Sequence, residues 1–130
     1  MSYMLLIVEP TGQRQSRTVE EAHAAYDSMV AFGAELRAEG LLQASQSLQS
    51  LDHAARVQVR QGRPVVTDGP FTEAKEMVGG FFLLTCQTRD EAIAIAQRCP
   101  AAQWSTVEVR ALAPCHEDAG TASAKGEQAA

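Results

Sequence analysis

The chain reads as strand–helix–strand, hairpin, strand–helix–strand. That order predicts an α+β fold: a ferredoxin-like split β-α-β sheet with an inserted β-hairpin and both helices on one face. Three features carry the prediction. Two runs, residues 3–9 and 79–86, are almost wholly apolar. Each is followed by a Thr-x-x-Glu box, Thr18 to Glu21 and Thr88 to Glu91, that opens a helix. Between the halves, residues 55–60 alternate apolar with polar and return through Gln61-Gly62 along residues 63–67.

Taken in order, residues 3–9 form a strand apolar on both faces, broken by Pro10, Thr11 and Gly12. A polar loop from Gln13 to Arg17 carries Arg14 and Arg17. Thr18 can accept from the Glu21 amide while Glu21 reaches back, and Glu20 and Glu21 face the positive end of the helix dipole. Ala22, Tyr26, Met29, Gly33 and Leu36 form the inward stripe, with Gly33 allowing close approach to a sheet and Gly40 ending the helix. Residues 41–50 read as a half-buried strand with Leu42, Ala44 and Leu48 on one side. Gly79-Gly80 marks a bulge or a tight entry into the second apolar strand. On the second helix Ala92, Ile93, Ile95, Ala96 and Cys99 turn inward, and Pro100 ends it. Residues 105–112 alternate again, with Val107, Val109 and Ala111 on one side. From Pro114 the composition turns to Ala, Gly, Ser, Lys and Glu, so a domain over 1–113 and a flexible tail over 114–130 are expected.

A chain of 130 residues has the size of one domain. Its net charge of −5 disfavours a nucleic-acid partner, which needs a basic patch. No apolar run reaches the roughly 20 residues that span a bilayer, and no basic, apolar leader opens the chain. A cytoplasmic protein without a membrane partner is therefore expected. Cys86, Cys99 and Cys115 are odd in number and lack C-x-x-C, so Cys86 and Cys99 read as buried free thiols. Cys115 and His116 have no second ligand pair at metal-like spacing, and no metal is expected. With no G-x-S-x-G, phosphate loop or G-x-G-x-x-G, no cofactor is expected either.

Two helices cover only one face of such a sheet. Yet the first strand offers Leu5 and Ile7 on one side and Met4, Leu6 and Val8 on the other, and the second apolar strand behaves likewise. A large bare apolar face is a liability for a soluble monomer, so a homodimer packed sheet to sheet is expected.

The densest cluster of turn formers and charges is Thr67-Asp68-Gly69-Pro70-Phe71-Thr72-Glu73-Ala74-Lys75-Glu76. Asp68 can turn its carboxylate onto amides two residues ahead, and Pro70 sets the bend. Phe71 belongs in a core or a ligand wall. Thr72 can cap a short helical turn holding Glu73 and Glu76. Asp-Gly-Pro is also ordinary turn chemistry, and Lys75 beside a glutamate is an ordinary surface pair.

The run Thr67 to Phe71, with Glu73, Lys75-Glu76 and Gly79-Gly80-Phe81, resembles the DGPF-motif branch of the YCII-related family. The likeness covers most of the chain, from the Leu-Leu-Ile strand to Thr106-Val107-Glu108-Val109-Arg110. It implies a dimeric α+β barrel of ferredoxin-like subunits, with a cleft near the motif between the sheet and the partner subunit. Most members of this branch have no assigned activity. Some are encoded beside extracytoplasmic-function sigma factors, and a few YCII-type relatives act in the degradation of substituted aromatics with a His–Asp dyad. His23 and Asp27, one helical turn apart, do not match that dyad's pattern and are not given its role. His53 reads as a turn residue and His116 as part of the tail.

These readings converge on a small organic ligand bound near the dimer interface, and cofactor-free acid/base chemistry of a lyase or isomerase kind is one reading of that site, which the sequence does not decide against binding alone. Asp68 or Glu76 would be the base, its pKa raised by burial in the cleft. Lys75 would neutralise developing charge. Gly69, Pro70, Phe71 and Glu73 would line the ligand, and Arg14 and Arg17 would hold its anionic group. The alternatives are a non-catalytic ligand-sensing or accessory protein and a purely structural motif.

Overall fold

In the computed structural model, which describes residues 1–122, the elements in chain order are β1 (Ser2–Pro10), α1 (Val19–Ala38), β2 (Leu42–Ser47), β3 (Ala55–Arg60), β4 (Arg63–Asp68), β5 (Glu76–Leu84), α2 (Arg89–Arg98) and β6 (Thr106–Leu112). The two strands that are apolar on both faces lie side by side in the middle of a four-stranded antiparallel sheet, ordered β2-β5-β1-β6. This is the predicted split β-α-β order. The hairpin β3–β4 stands apart as its own two-stranded sheet, turning on Gln61 and Gly62, both at positive φ.

The helices cover one face. Tyr3, Leu5 and Ile7 of β1 and Phe82 and Leu84 of β5 point into a single core with Phe32, Leu36, Ala92 and Ile95. Leu5, Leu36, Leu84 and Cys99 are fully buried. Phe32 meets Phe82 edge-on, ring centroids 5.2 Å apart. The other face, with Met4, Leu6, Val8, Phe81 and Leu83, is covered by neither α1 nor α2 and is half-buried. No helix among the described residues is long and apolar enough to cross a membrane.

The helix boundaries follow their caps. Thr18 and Glu21 form the full reciprocal box. At Thr88 only half of it forms: the hydroxyl accepts from the Glu91 amide but donates its own proton to the Glu91 carboxylate. Gly40, at φ +72°, ends α1, and the Leu41 amide reaches back to the Leu36 carbonyl. Pro100 ends α2 as expected and opens a short 3-10 turn, Pro100–Gln103. At the helix ends, Arg98 donates to both oxygens of Glu39, at 2.8 and 2.9 Å, tying α2 to α1.

Several local expectations are corrected. α1 touches the sheet only through its C-terminal half: Phe32, Gly33 and Leu36 are buried, whereas Ala22 and Tyr26, assigned to the inward stripe, are exposed. β2 does not keep one parity, because a bulge at Gln43 puts Leu42 opposite Leu84 and Ala44 opposite Leu83, on different faces. No helical turn forms after Thr72. The Thr11 amide and hydroxyl bond to the carbonyls of Lys75 and Ala74, and this draws Glu76 into β5 opposite Pro10. Residues 114–122 of the expected tail include a 3-10 turn, Cys115–Asp118. The remainder of that tail, 123–130, lies outside the described residues.

Gly33 is not held at glycine by the helix–sheet distance. A Cβ there would lie 3.6 Å from Phe82 Cε1 and 3.9 Å from Leu42 Cδ2, ordinary contact. Gly33→Ala is therefore expected to stabilise the fold by about 1 kcal/mol through helix propensity. Urea unfolding would measure this, and a lower midpoint would show that the glycine is sterically required.

Candidate functional site

Alternation along β1 puts Glu9 on the same face as Leu5 and Ile7, so the strand delivers a carboxylate to the core side of the sheet. Glu9 is 7% exposed. A buried carboxylate needs a partner. The break at Pro10 and Gly12 turns the chain back so that Arg14 can meet it. Arg14 Nε donates to Glu9 Oε1 at 2.6 Å and Nη2 to Oε2 at 3.3 Å. The same guanidinium donates to the carbonyls of Leu48, at 2.7 Å, and Gly79, at 3.1 Å. One side chain thus joins β1, the segment after β2, and β5.

The pair requires glycine at 79. A methyl there would overlap Glu9 Oε2 and lie 2.7 Å from Arg14 Nη2. The expected bulge is present: the register slips so that Ile7 faces Gly80 and Val8 faces Val78, leaving Gly79 out of the ladder. Gly80 is also constrained, since a Cβ there would come within 2.9 Å of the Gln46 carbonyl oxygen.

With Glu9, Gly79 and Gly80 as floor and the first half of α1 standing off the sheet, an elongated groove of about 850 Å³ remains. It follows α1 from Ala22 to Ala38, about 24 Å at 1.5 Å per residue. Its middle is walled by Ala25, Met29, Val30, Ala34 and Phe82. Polar groups gather at the Glu9 end: Arg14, Arg17 and Ser47, with Trp104 as a flat wall. The guanidinium carbon of Arg17 lies 5.7 Å from the Trp104 ring centroid. The groove is on the helix side of the sheet and within one chain, unlike the cleft that the family resemblance implies.

Of the residues singled out in the sequence, Arg14 and Arg17 line this groove, and Arg14 is occupied by Glu9. Asp68, Pro70, Glu73, Lys75 and Glu76 are exposed and do not line it. In the single chain Asp68 and Glu76 are not buried. Gly69, Pro70 and Phe71 serve the base of the hairpin. The Gly69 amide donates to the Ala54 carbonyl at 2.7 Å, and a methyl on Gly69 would overlap the Leu51 carbonyl oxygen. Phe71 is buried beneath the Arg56 guanidinium, 3.7 Å from its ring centroid, and Arg56 reaches Glu73 at 3.2 Å. A small recess of about 170 Å³ borders Pro70, Phe71 and Thr72.

His23 and Asp27 are both exposed on α1, and His53 lies exposed in the 3-10 turn Leu51–His53. Cys86 and Cys99 are buried and Cys115 is exposed; burial pushes the thiols of Cys86 and Cys99 up, away from the reactive thiolate. Among the described residues no three His, Cys, Asp or Glu side chains group as a metal site would need.

Glu9 is the residue that sequence reasoning missed. The signal was parity: it shares the side of Leu5 and Ile7, and an arginine follows across a turn. Arg14→Met is expected to strand the Glu9 charge and cost about 3 kcal/mol. The double variant Glu9→Leu/Arg14→Met is expected to recover most of that loss. Chemical denaturation of the single and double variants measures both, and an unchanged midpoint for Arg14→Met would show that water already solvates Glu9.

The YCII-related domain family matches residues 1–116. An uncharacterised protein of Rhizobium meliloti (strain 1021) is 44% identical over 62 residues, covering 46% of this chain and 50% of that protein. The chain thus aligns with only half the length of this curated relative. Among solved structures, 5-chloro-2-hydroxyhydroquinone dehydrochlorinase (TftG) from Burkholderia phenoliruptrix AC1100, in complex with 2,5-dihydroxybenzoquinone, superposes with a TM-score of 0.52. The match spans 90% of this chain and 98% of that one at 16% identity, a likeness of fold alone. With the family match running from β1 past the end of β6, the chain belongs to the YCII-related family.

Proposed function

We propose that the chain binds a small, largely apolar organic molecule in the groove between α1 and the sheet and moves a proton on it without a cofactor, as a lyase or isomerase would. The groove carries this reading. Its volume is that of a small-molecule site, and its walls are largely apolar, with polar groups gathered at the Glu9 end and Arg37 at the other. Among the described residues Glu9 is the one carboxylate lining it, and it is held in place by Arg14. That a protein of similar fold is a dehydrochlorinase bound to a dihydroxybenzoquinone supports the same class of ligand and reaction.

One observation favours a sensing or accessory role instead. Both oxygens of Glu9 already accept from Arg14, so the carboxylate is engaged within the fold. Recovery of a groove ligand chemically unchanged after incubation with the protein would decide for sensing.

In this reading the Asp68-Gly69-Pro70-Phe71 run, our ground for placing the chain in the DGPF-motif branch, is architectural. It seats the hairpin through Gly69 and Phe71 and leaves Asp68, Lys75 and Glu76 in solvent. We also propose that two copies pack sheet to sheet over Met4, Leu6, Val8, Phe81 and Leu83, with the grooves facing outward.

Two measurements test these proposals. The neutral fluorophore N-phenyl-1-naphthylamine is expected to gain emission on saturating the groove, and Ala34→Trp, which fills it, to weaken binding about tenfold or more. Equal binding by that variant would remove the groove from the proposal. Light scattering at micromolar concentration is expected to give a dimer for the native chain and a monomer for Leu6→Glu. A monomeric native chain would end the dimer proposal.

A further inference from the structure

We propose that the groove's ligand is a planar organic anion, an aromatic carboxylate in class, with its negative group beneath Arg17 and its ring against Trp104. The inference rests on the groove being a ligand site and adds the chemistry that the site selects.

The charges lining the groove run against those of the whole chain. The chain carries −5, yet among the described residues the charged ones lining the groove are Arg14, Arg17 and Arg37 against Glu9 alone. Arg14 and Glu9 neutralise each other, and Arg14 spends further donors on the carbonyls of Leu48 and Gly79. Arg17 and Arg37 form no ion pair among the described residues. They sit at opposite ends of α1, about 30 Å apart along the helix, so a small ligand meets only one of them.

The Arg17 end is the one built for recognition. Arg17 is half-buried, and a half-desolvated guanidinium without a carboxylate gains from an anion more than a solvated one does. Glu21 feels the charge of Arg17, but its carboxylate is turned onto the Thr18 amide at 2.8 Å. Trp104 offers an apolar plane beside the cation, so a flat ring can stack on the wall while its charged substituent meets the guanidinium.

The two residues are also fastened to each other before any ligand arrives. Gln13 Nε2 donates to the Trp104 carbonyl at 2.7 Å, and the Ser105 hydroxyl donates to Gln13 Oε1 at 3.0 Å. The Arg17 amide donates to the Arg14 carbonyl at 3.2 Å. The loop that carries Arg17 is thereby locked to the segment that carries Trp104, and less order remains to be imposed on binding.

A matched pair of probes tests this: 1-naphthoate and its neutral amide, 1-naphthamide. Calorimetry gives the affinities. The indole N–H resonance of Trp104, the chain's one tryptophan, reports whether binding is at this end. The expected result is that naphthoate binds about tenfold more tightly than naphthamide, with a shift of the Trp104 resonance. Arg17→Gln is expected to remove the preference and leave naphthamide affinity unchanged, and Arg17→Lys to restore part of it. Equal affinities for the two probes, or an Arg17→Gln variant that weakens both alike, would overturn the anion assignment and leave the groove reading standing. Binding that leaves the Trp104 resonance unmoved would overturn the assignment alone, and failure of both probes to bind would overturn the assignment and the groove reading together.

Discussion

A carboxylate on the core face of a central strand cannot remain unpaired, and the answer to Glu9 shapes one end of this molecule. Arg14 supplies the counter-charge, which requires the chain to double back after β1. The guanidinium then reaches carbonyls on two neighbouring segments, so the end of β2 and the bulge of β5 are set by the same side chain. Position 79 must lack a side chain because the pair occupies that space. With glycines in the sheet there and polar groups on its floor, few apolar side chains rise to meet the first half of α1, which stands away. The groove follows from how the charge was neutralised.

The most specific run of the sequence and the groove proposed as the ligand site are different places, joined through the loop that follows β1. The Asp68-Gly69-Pro70-Phe71 run is the most distinctive mark in the chain, yet its constraints are those of assembly. Gly69 has a carbonyl in the way of any Cβ, and Phe71 has a cation over its ring. Its charged members face water, where an ion pair such as Arg56–Glu73 contributes under about 1 kcal/mol. A motif can mark descent through the backbone it enforces and leave the chemistry to residues whose pattern is unremarkable.

What was legible in the sequence was whatever is decided locally. The apolar runs gave β1 and β5, the Thr-x-x-Glu boxes set both helix starts, Gly40 and Pro100 set both ends, and Gln61-Gly62 set the hairpin turn. The ferredoxin-like order followed from these. What escaped was decided by contacts across the fold. Periodicity placed Ala22 and Tyr26 on the inward stripe correctly as to angle but could not say that this half of the helix is lifted. The bulge at Gln43, the helical turn that did not form after Thr72, and the pairing of Glu9 with Arg14 each depend on a partner strand that local pattern does not reveal. Arg14 and Arg17 were legible as candidates, and both line the groove, but the pairing of Arg14 with Glu9 was not legible.

The hairpin β3–β4 is joined to the rest chiefly at its base, and every residue of both strands is exposed, including Val57, Val59, Val65 and Val66. The interactions that seat it, Gly69 on Ala54 and Arg56 over Phe71, share no residue with those that shape the groove. Two such units open and close with separate free energies. Sequence changes in one should add to changes in the other without amplifying them, so the hairpin can drift, lengthen or acquire a new surface while the groove stays as it is. A small chain arranged in this way can vary its outward contacts and its interior chemistry independently.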